Sequence, residues 1–305
     1  MKISYVNRNC PMCSSNVPIE EVQSPIRAEK SEYSILKEIW NGFFKEKIIF
    51  TYSRCGRCKT LYCPIFFSND QLSELYSQMP ANMDEVPMSA LRKTQKGYFE
   101  FLKKYSELKG SYLEVGPDIG LFTENCVIEG NYEKYWLLEP NIAVKKDLEN
   151  VVFGNSSSII HEMFDFSTIP DNSIDTVVII HVMDHLIEPV KYLNNMQKKL
   201  KKGAKILIVT HDEKSILRKF FKIKWPAFCL QHPQLYNLKT TENFLRDSNY
   251  KIIAQNKTRN YFKISFLLKH LLWGFGIKIN KIPNFFGITV GLKLGNIITV
   301  AEYNG

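Results

Sequence analysis

At 305 residues, 45% of them hydrophobic and 23% charged, the chain can bury a full core and lacks the charge-rich, apolar-poor character of a disordered polypeptide. Forty Lys and Arg against thirty-one Asp and Glu give a net charge of +9. The excess is concentrated between Lys214 and Lys281, where fourteen basic residues stand against two acids, Glu242 and Asp247, a local charge of +12; such a face attracts phosphorylated metabolites, nucleic acid or an anionic membrane surface.

The opening MKISYVNRNCPMC has no apolar run of signal-peptide length, so a cytoplasmic location is expected. Five of the seven cysteines, Cys10, Cys13, Cys55, Cys58 and Cys63, fall in the first 63 residues; Cys126 and Cys229 are isolated. SNDQLSELYSQ then predicts a short helix capped by Ser68 or Asn69. MPANMDEVP (79–87), with two prolines, reads as a linker, which places a domain boundary near residue 80. Beyond it, apolar runs of strand length alternate with helical patterns. SYLEVG (111–116), YWLLEP (135–140), a short run at 159–162, IDTVVII (174–180) and AKILIVT (204–210) are predicted strands. Helices are predicted from Leu121 towards Gly130, over 141–150, and over EPVKYLNNMQKKLKKG (188–203), ending at Gly203. YKIIAQ (250–255) and GNIITVAEY (295–303) read as late strands. The alternation predicts an α/β fold with a mostly parallel sheet covered on both faces. The longest apolar stretch, ISFLLKHLLWGFGI (264–277), is broken by Lys269 and His270 and is too short to span a bilayer.

Cys10-Pro-Met-Cys13 and Cys55-Gly-Arg-Cys58 are two C-x2-C knuckles separated by 41 residues. Two such turns can bring four thiolates onto one tetrahedral zinc ion, a closed site with a structural role. The alternative is four buried or redox thiols. Cys63 is a fifth thiol, either spare or an alternative ligand.

LEVGPDIGLF (113–122) has a glycine-rich turn between a strand and a helix. Against the dinucleotide pattern G-x-G-x-x-G it fails at Asp118 and Leu121. Against the pattern E/D-x-G-x-G-x-G, read as Glu114, Gly116, Asp118 and Gly120, it fails only at Asp118. That loop, the acid in WLLEPN, the segment EMFDFSTIPDNSIDTVVIIH and the run HVMDHLIEPVKYLNNMQKKLKKGAKILIVT follow one another in order over residues 113–210. Together they resemble the class I S-adenosylmethionine-dependent methyltransferases. The resemblance implies a Rossmann-like, seven-stranded sheet over residues 81–305. It also implies a cofactor held by Glu114, Gly116, Asp118 and Gly120, by Glu139 at the ribose hydroxyls, by Asp165 and Phe166 at the adenine, and by His181. Preceded by the cysteine knuckles (a zinc-ribbon-like domain, residues 1–80), the chain is similar to bacterial methyltransferases of sugar and polysaccharide clusters, some of which methylate deoxysugars on carbon. The C-terminal domain frequent in that group has little room here, so its catalytic base is not carried over.

Methyl transfer from a sulfonium needs the acceptor held in line, and a hydroxyl or carbon acceptor also needs a base. His181 and His185 end the fourth strand, His211 follows the fifth, and His232 and Tyr236 lie where relatives place an acceptor-facing histidine. His232, His181 and Tyr236 are the candidate catalytic residues, in that order. A basic, apolar cap is expected over residues 213–235 and 257–290. It would suit a small acceptor, phosphorylated or lipid-linked, or a peripheral contact with a membrane. The leading reading is a small-molecule methyltransferase acting on a sugar or glycan precursor in surface-polysaccharide or specialised-metabolite synthesis. The alternatives are a nucleic-acid methyltransferase, disfavoured because His181-Val182-Met183-Asp184 replaces the Asn/Asp-Pro-Pro-Tyr/Phe motif, and a non-catalytic zinc-ribbon adaptor.

Overall fold

The short apolar runs of the first eighty residues are too brief for stable helices and pair as an antiparallel sheet in this computed structural model, which describes residues 5–40, 48–77, 86–274 and 288–305. Its strands are β1 (Pro18–Val22), β2 (Tyr52–Cys55) and β3 (Leu61–Tyr62), with helix α1 (Tyr33–Glu38) between the first two and α2 (Asn69–Ser77) after the last. The expected α2 start is present: the Ser68 hydroxyl accepts from Gln71 N while the Gln71 side chain accepts from Ser68 N, a reciprocal cap. Most of the expected linker, residues 78–85, lies outside the described residues.

From residue 88 the chain runs α3 (Met88–Lys103), β4 (Lys109–Val115), α4 (Leu121–Glu129), β5 (Asn131–Leu138), α5 (Lys145–Val151), β6 (Ser157–Ile160), β7 (Ile174–Ile180), α6 (Pro189–Gln197) and β8 (Leu200–His211). It continues through α7 (Ile216–Phe221), β9 (Gln234–Leu235), α8 (Leu238–Asp247), β10 (Tyr250–Lys263), α9 (Ile264–Gly274) and β11 (Thr289–Tyr303). Seven strands form one sheet in the order β6-β5-β4-β7-β8-β11-β10. The first five are mutually parallel, and β11 runs antiparallel to both β8 and β10. The expected α/β fold with a mostly parallel seven-stranded sheet is therefore present. Both faces are buried, as parallel sheets require: Leu113, Val115, Val177, Ile179, Ile206 and Ile208 pack on one side. Tyr112, Leu137, Val178, Ile180, Leu207 and Val209 pack on the other. Strand order reverses between β4 and β7, and the crevice beyond their carboxyl ends is where such sheets bind ligands.

Two expected elements differ. The helix expected to reach Gly203 ends at Gln197, because the carbonyls of Lys198 and Lys199 are taken by the backbone N–H groups of Asn172, Ser173 and Ile174 at 2.8–3.0 Å. β8 therefore begins at Leu200, four residues early. Residues 257–263, expected in the cap, instead continue β10 and pair with β11 as far as Lys263 opposite Thr289. The helix α9 follows; residues 275–287 of the expected cap lie outside the described residues. Among the described residues no helix is long and apolar enough to cross a membrane.

The N-terminal sheet is completed by the second half of the chain. β9 pairs antiparallel with β3, Gln234 opposite Tyr62, giving the order β9-β3-β2-β1. Trp225, Ala227, Phe228, Leu230 and Leu235 share a single apolar core with Leu36, Trp40, Phe50, Phe66, Phe67 and Leu75. A polar network seals the same seam: the buried Glu213 carboxylate accepts from Arg54, Arg218 and Asn237, and both arginines also reach Glu21. Phe228 is 1% exposed and packs edge-to-face on Trp225, with Tyr52 beside it. Phe228→Ala should therefore lower the unfolding free energy by about 3–5 kcal/mol, read from the urea midpoint. It should shift near-UV signals of the N-terminal aromatics and of the seven-stranded half in one transition.

Candidate active site

Local sequence dictates the loop after β4. Gly116 (φ +68°) and Gly120 (φ +77°) adopt left-handed conformations, and a Cβ on Gly116 would lie 2.5 Å from Val182 Cγ2. Asp118, at the position where a glycine is missing, is also left-handed (φ +52°), a conformation aspartate tolerates better than most residues. Its backbone N–H donates to Glu139 Oε2 at 2.9 Å, while Asn141 N donates to Oε1 at 2.9 Å. The acid ending β5 thereby fixes the loop after β4, and each oxygen keeps a lone pair. Burial raises the Glu139 pKa against the pull of those two donors. Burial, with Glu139 and Asp147 nearby, pushes Asp118 up to about 6. Glu114 sits deeper, at 2% exposure, accepting from the Tyr112 and Thr123 hydroxyls. Burial pushes it up to about 7. Its contacts tie β4 to the first turn of α4.

Beyond β6, Asp165 is half-buried and its carboxylate accepts from Ser167 N at 2.8 Å. Phe166 is 7% exposed and meets Tyr192 edge-to-face at 5.4 Å.

The ends of β7 and β8 bring together residues scattered over fifty positions. Asp184 is fully buried, and its Oδ2 accepts from His211 Nδ1 at 2.9 Å and His211 N at 3.1 Å. His181 Nδ1 stands 3.9 Å from the same oxygen. His181 is itself left-handed (φ +53°), which for a non-glycine residue costs about 1–2 kcal/mol. The rings of His181 and His211 lie 4.7 Å apart, those of His211 and His232 4.8 Å, and those of His232 and His185 4.7 Å. Burial works against the Asp184 charge, but His211, His181 and His232 hold its pKa well below the usual carboxylate range. Burial pulls His211 down to about 4 despite Asp184. Burial also opposes charge on His232, yet Cys229 at 3.3 Å and Asp184 raise it to about 9.

The candidate catalytic residues separate here. His181 reaches the surface, with 29% of its side chain exposed. His232 lies behind His211, 5% exposed, with Nδ1 2.8 Å from Ala227 O. Tyr236 is 1% exposed and its hydroxyl donates to Met183 O at 3.2 Å, so it packs in the core under the crevice. Asp184, to which sequence reasoning assigned no role, organises the cluster; the H-x-x-D-H spacing of HVMDH was the available signal. Arg8 was also missed: it joins the N-terminal module to the loop after β7 by donating to Ile187 O at 2.6 Å and Gln234 Oε1 at 3.1 Å.

Away from this crevice, Cys10, Cys13, Cys55 and Cys58 converge so that all four sulfurs lie within 4.8 Å of one another. Cys10 Sγ is 3.4 Å from Cys58 Sγ, and Cys13 Sγ is 3.6 Å from Cys55 Sγ. These separations approach the edge of about 3.8 Å of a tetrahedron with metal–sulfur bonds of about 2.3 Å, and Cys58 N points at Cys55 Sγ (3.4 Å). Cys63 is not in this group; it is fully buried against Tyr52 and the His232 carbonyl. A cavity of about 520 Å³ opens where Glu213 and Lys214 leave β8, lined also by Arg54, Arg218, Lys219, Lys222 and Phe228.

Residues 90–255, more than half of the chain, match a family described as a methyltransferase domain. No curated protein matches by sequence. Among solved structures, one assigned as an S-adenosylmethionine-dependent methyltransferase from Listeria monocytogenes superposes at a TM-score of 0.50 with 9% identity, over 69% of this chain and 99% of that one. A chain from the complex between the Haloferax volcanii Trm112 methyltransferase activator and its methyltransferase superposes at 0.50 with 12% identity, over 71% and 94%. A Leishmania major S-adenosylmethionine-dependent methyltransferase covers 90% of this chain and 84% of its own at 0.48 and 13% identity. With its family match over the crevice-forming strands, the chain belongs to the methyltransferase-domain family and is an S-adenosylmethionine-dependent methyltransferase.

Proposed function

We propose that this methyltransferase acts on a small phosphate-bearing acceptor, a sugar or glycan precursor of bacterial surface-polysaccharide or specialised-metabolite synthesis. The cavity beside the end of β8 carries this reading: Glu21 and Glu213 balance Arg54 and Arg218 there, while Lys214, Lys219 and Lys222 add positive charge that suits a phosphate group, and Ile223 offers an apolar contact. The order of cysteine knuckles followed by a methyltransferase domain, which resembles in sequence the methyltransferases of sugar clusters, supports the acceptor class.

S-adenosylmethionine supplies an electrophilic methyl group on its sulfonium. In this reading Gly116 and Gly120 let the backbone approach the cofactor, with Glu114 and Asp118 shaping the same loop. Glu139 accepts from the ribose hydroxyls with its remaining lone pairs. Asp165 and Phe166 border the adenine. His181 stands between cofactor and acceptor, while His232 and Tyr236 act as positioning residues behind it. Cys10, Cys13, Cys55 and Cys58 hold a structural zinc ion that ties the ends of β2 to the N-terminal knuckle.

Titration calorimetry should show one S-adenosylmethionine site per chain, and radiolabelled methyl transfer to nucleoside-diphosphate sugars rather than to RNA or DNA tests the acceptor class. Glu139→Ala should weaken cofactor affinity by about 10-fold or more, the equivalent of a lost charge-assisted hydrogen bond. Asp118→Gly should leave affinity unchanged or improve it, because glycine keeps the left-handed turn and removes an acid whose burial is unfavourable. A mercurial thiol reagent should release one zinc ion per chain, and Cys55→Ser should abolish that release and lower the melting temperature.

A further inference from the structure

We propose that His181, Asp184 and His211 form a second metal site, which binds a divalent transition ion and presents it to an acceptor oxygen. One ligand atom from each residue lies within 4.8 Å of the others, from the end of β7, the loop after it and the end of β8. Two imidazoles and a carboxylate are a donor set suited to zinc, manganese or iron, and three protein ligands leave coordination positions open. These side chains also carry two atoms without partners: Asp184 Oδ1 and His181 Nδ1 are buried with no hydrogen-bond partner among the described residues, while Asp184 Oδ2 is taken by His211. Buried polar atoms are rarely left so, and each orphan carries a cost that an ion between them would remove.

Access and support agree with this assignment. The Asp184 side chain is wholly buried, while 29% of His181 and 25% of His211 remain exposed, so an ion would be anchored from within and open outward. Asn296 Nδ2 lies 3.1 Å from His181 Nε2. A half-turn of that amide makes its oxygen the acceptor for Nε2–H and leaves Nδ1 to the metal, the outer-shell arrangement usual for metal-bound histidine. The left-handed backbone at His181 fits the same role, since strain of this kind is kept where a side chain must be aimed. Val182, the next residue, packs against Gly116, so the ion would sit beside the cofactor loop.

The consequence for chemistry rests on the methyl-transfer assignment. An acceptor hydroxyl coordinated at the open position becomes acidic and releases its proton to solvent. Its oxygen lone pair forms the new C–O bond as the C–S bond of S-adenosylmethionine breaks, the electron pair staying on sulfur to give S-adenosylhomocysteine. The acceptor class is thus an alcohol, best with a second oxygen to chelate the ion.

Protein carrying zinc at its four cysteines is titrated with Co2+, followed by visible spectroscopy and calorimetry. One further equivalent should bind, with weak d–d absorption and no thiolate charge-transfer band. His211→Ala and His181→Ala should weaken this event by at least about tenfold, and Asp184→Asn likewise, each with a cooperative melt that certifies folding; the histidine variants decide the matter if the aspartate variant does not fold. No second binding event in the wild type, or its persistence in both histidine variants, overturns the site. Calorimetry with S-adenosylmethionine reads the methyltransferase assignment separately: wild type that binds the cofactor but not Co2+ sinks the metal site alone, whereas His211→Ala is expected to keep the cofactor and lose Co2+.

Discussion

The Glu139 carboxylate, held between the N–H groups of Asp118 and Asn141, is the contact on which the crevice depends. Parallel strands β4 and β5 deliver their ends side by side, and this acid, together with the Gly116 N–H on Leu138 O at 2.9 Å, joins two loops into one rim. The three left-handed residues of the loop after β4, Gly116, Asp118 and Gly120, would otherwise be an entropic liability. Capture of Asp118 N selects one conformation of it, and α4 starts in consequence at a defined point over the sheet. A carboxylate buried for this purpose would cost several kcal/mol without partners; here the partners are backbone groups that themselves need acceptors.

The opposite wall of the crevice is built quite differently. Asp184 collects imidazoles from β7 and β8, and behind them His232 is fixed by a segment whose apolar side chains belong to the N-terminal core. Tyr52 of that core donates its hydroxyl to the His232 carbonyl at 2.6 Å. The cysteine module is therefore structurally continuous with the histidine cluster through contacts that include Tyr52 to His232, Tyr76 to His185 and Arg8 to Ile187. Loss of the cysteine knuckles would loosen the support of a wall that contains none of their residues.

Features set by local chemistry were legible in the sequence. β7 could be read because burial on both faces makes every position but Asp175 and Thr176 apolar, and the glycine turn because left-handed backbone is written in residue type. The early end of α6 was not legible: the run Lys198-Lys199-Leu200-Lys201-Lys202 continues a helical pattern, and only the competing donors at 172–174 stop it. The pairing of β9 with β3 was equally hidden, since two-residue strands carry no period. The histidine cluster was half legible. Its members were visible singly, but their convergence follows from β7 and β8 being sheet neighbours, and the demotion of Tyr236 from the cleft to the core follows from its hydroxyl finding Met183 O.

The register of Tyr62 with Gln234 also has a kinetic meaning. During synthesis the N-terminal sheet emerges first but cannot complete the core it shares with Trp225 to Leu235 until they leave the ribosome. At typical elongation rates that interval is roughly 10–30 s. Over this time the nascent chain presents an uncovered aromatic surface and an unpaired strand edge at β3, a target for chaperones and for wrong partners alike. Early capture of a metal ion by the two knuckles would pin the first strands together and keep their thiols from oxidising while the remainder of their core is still being made.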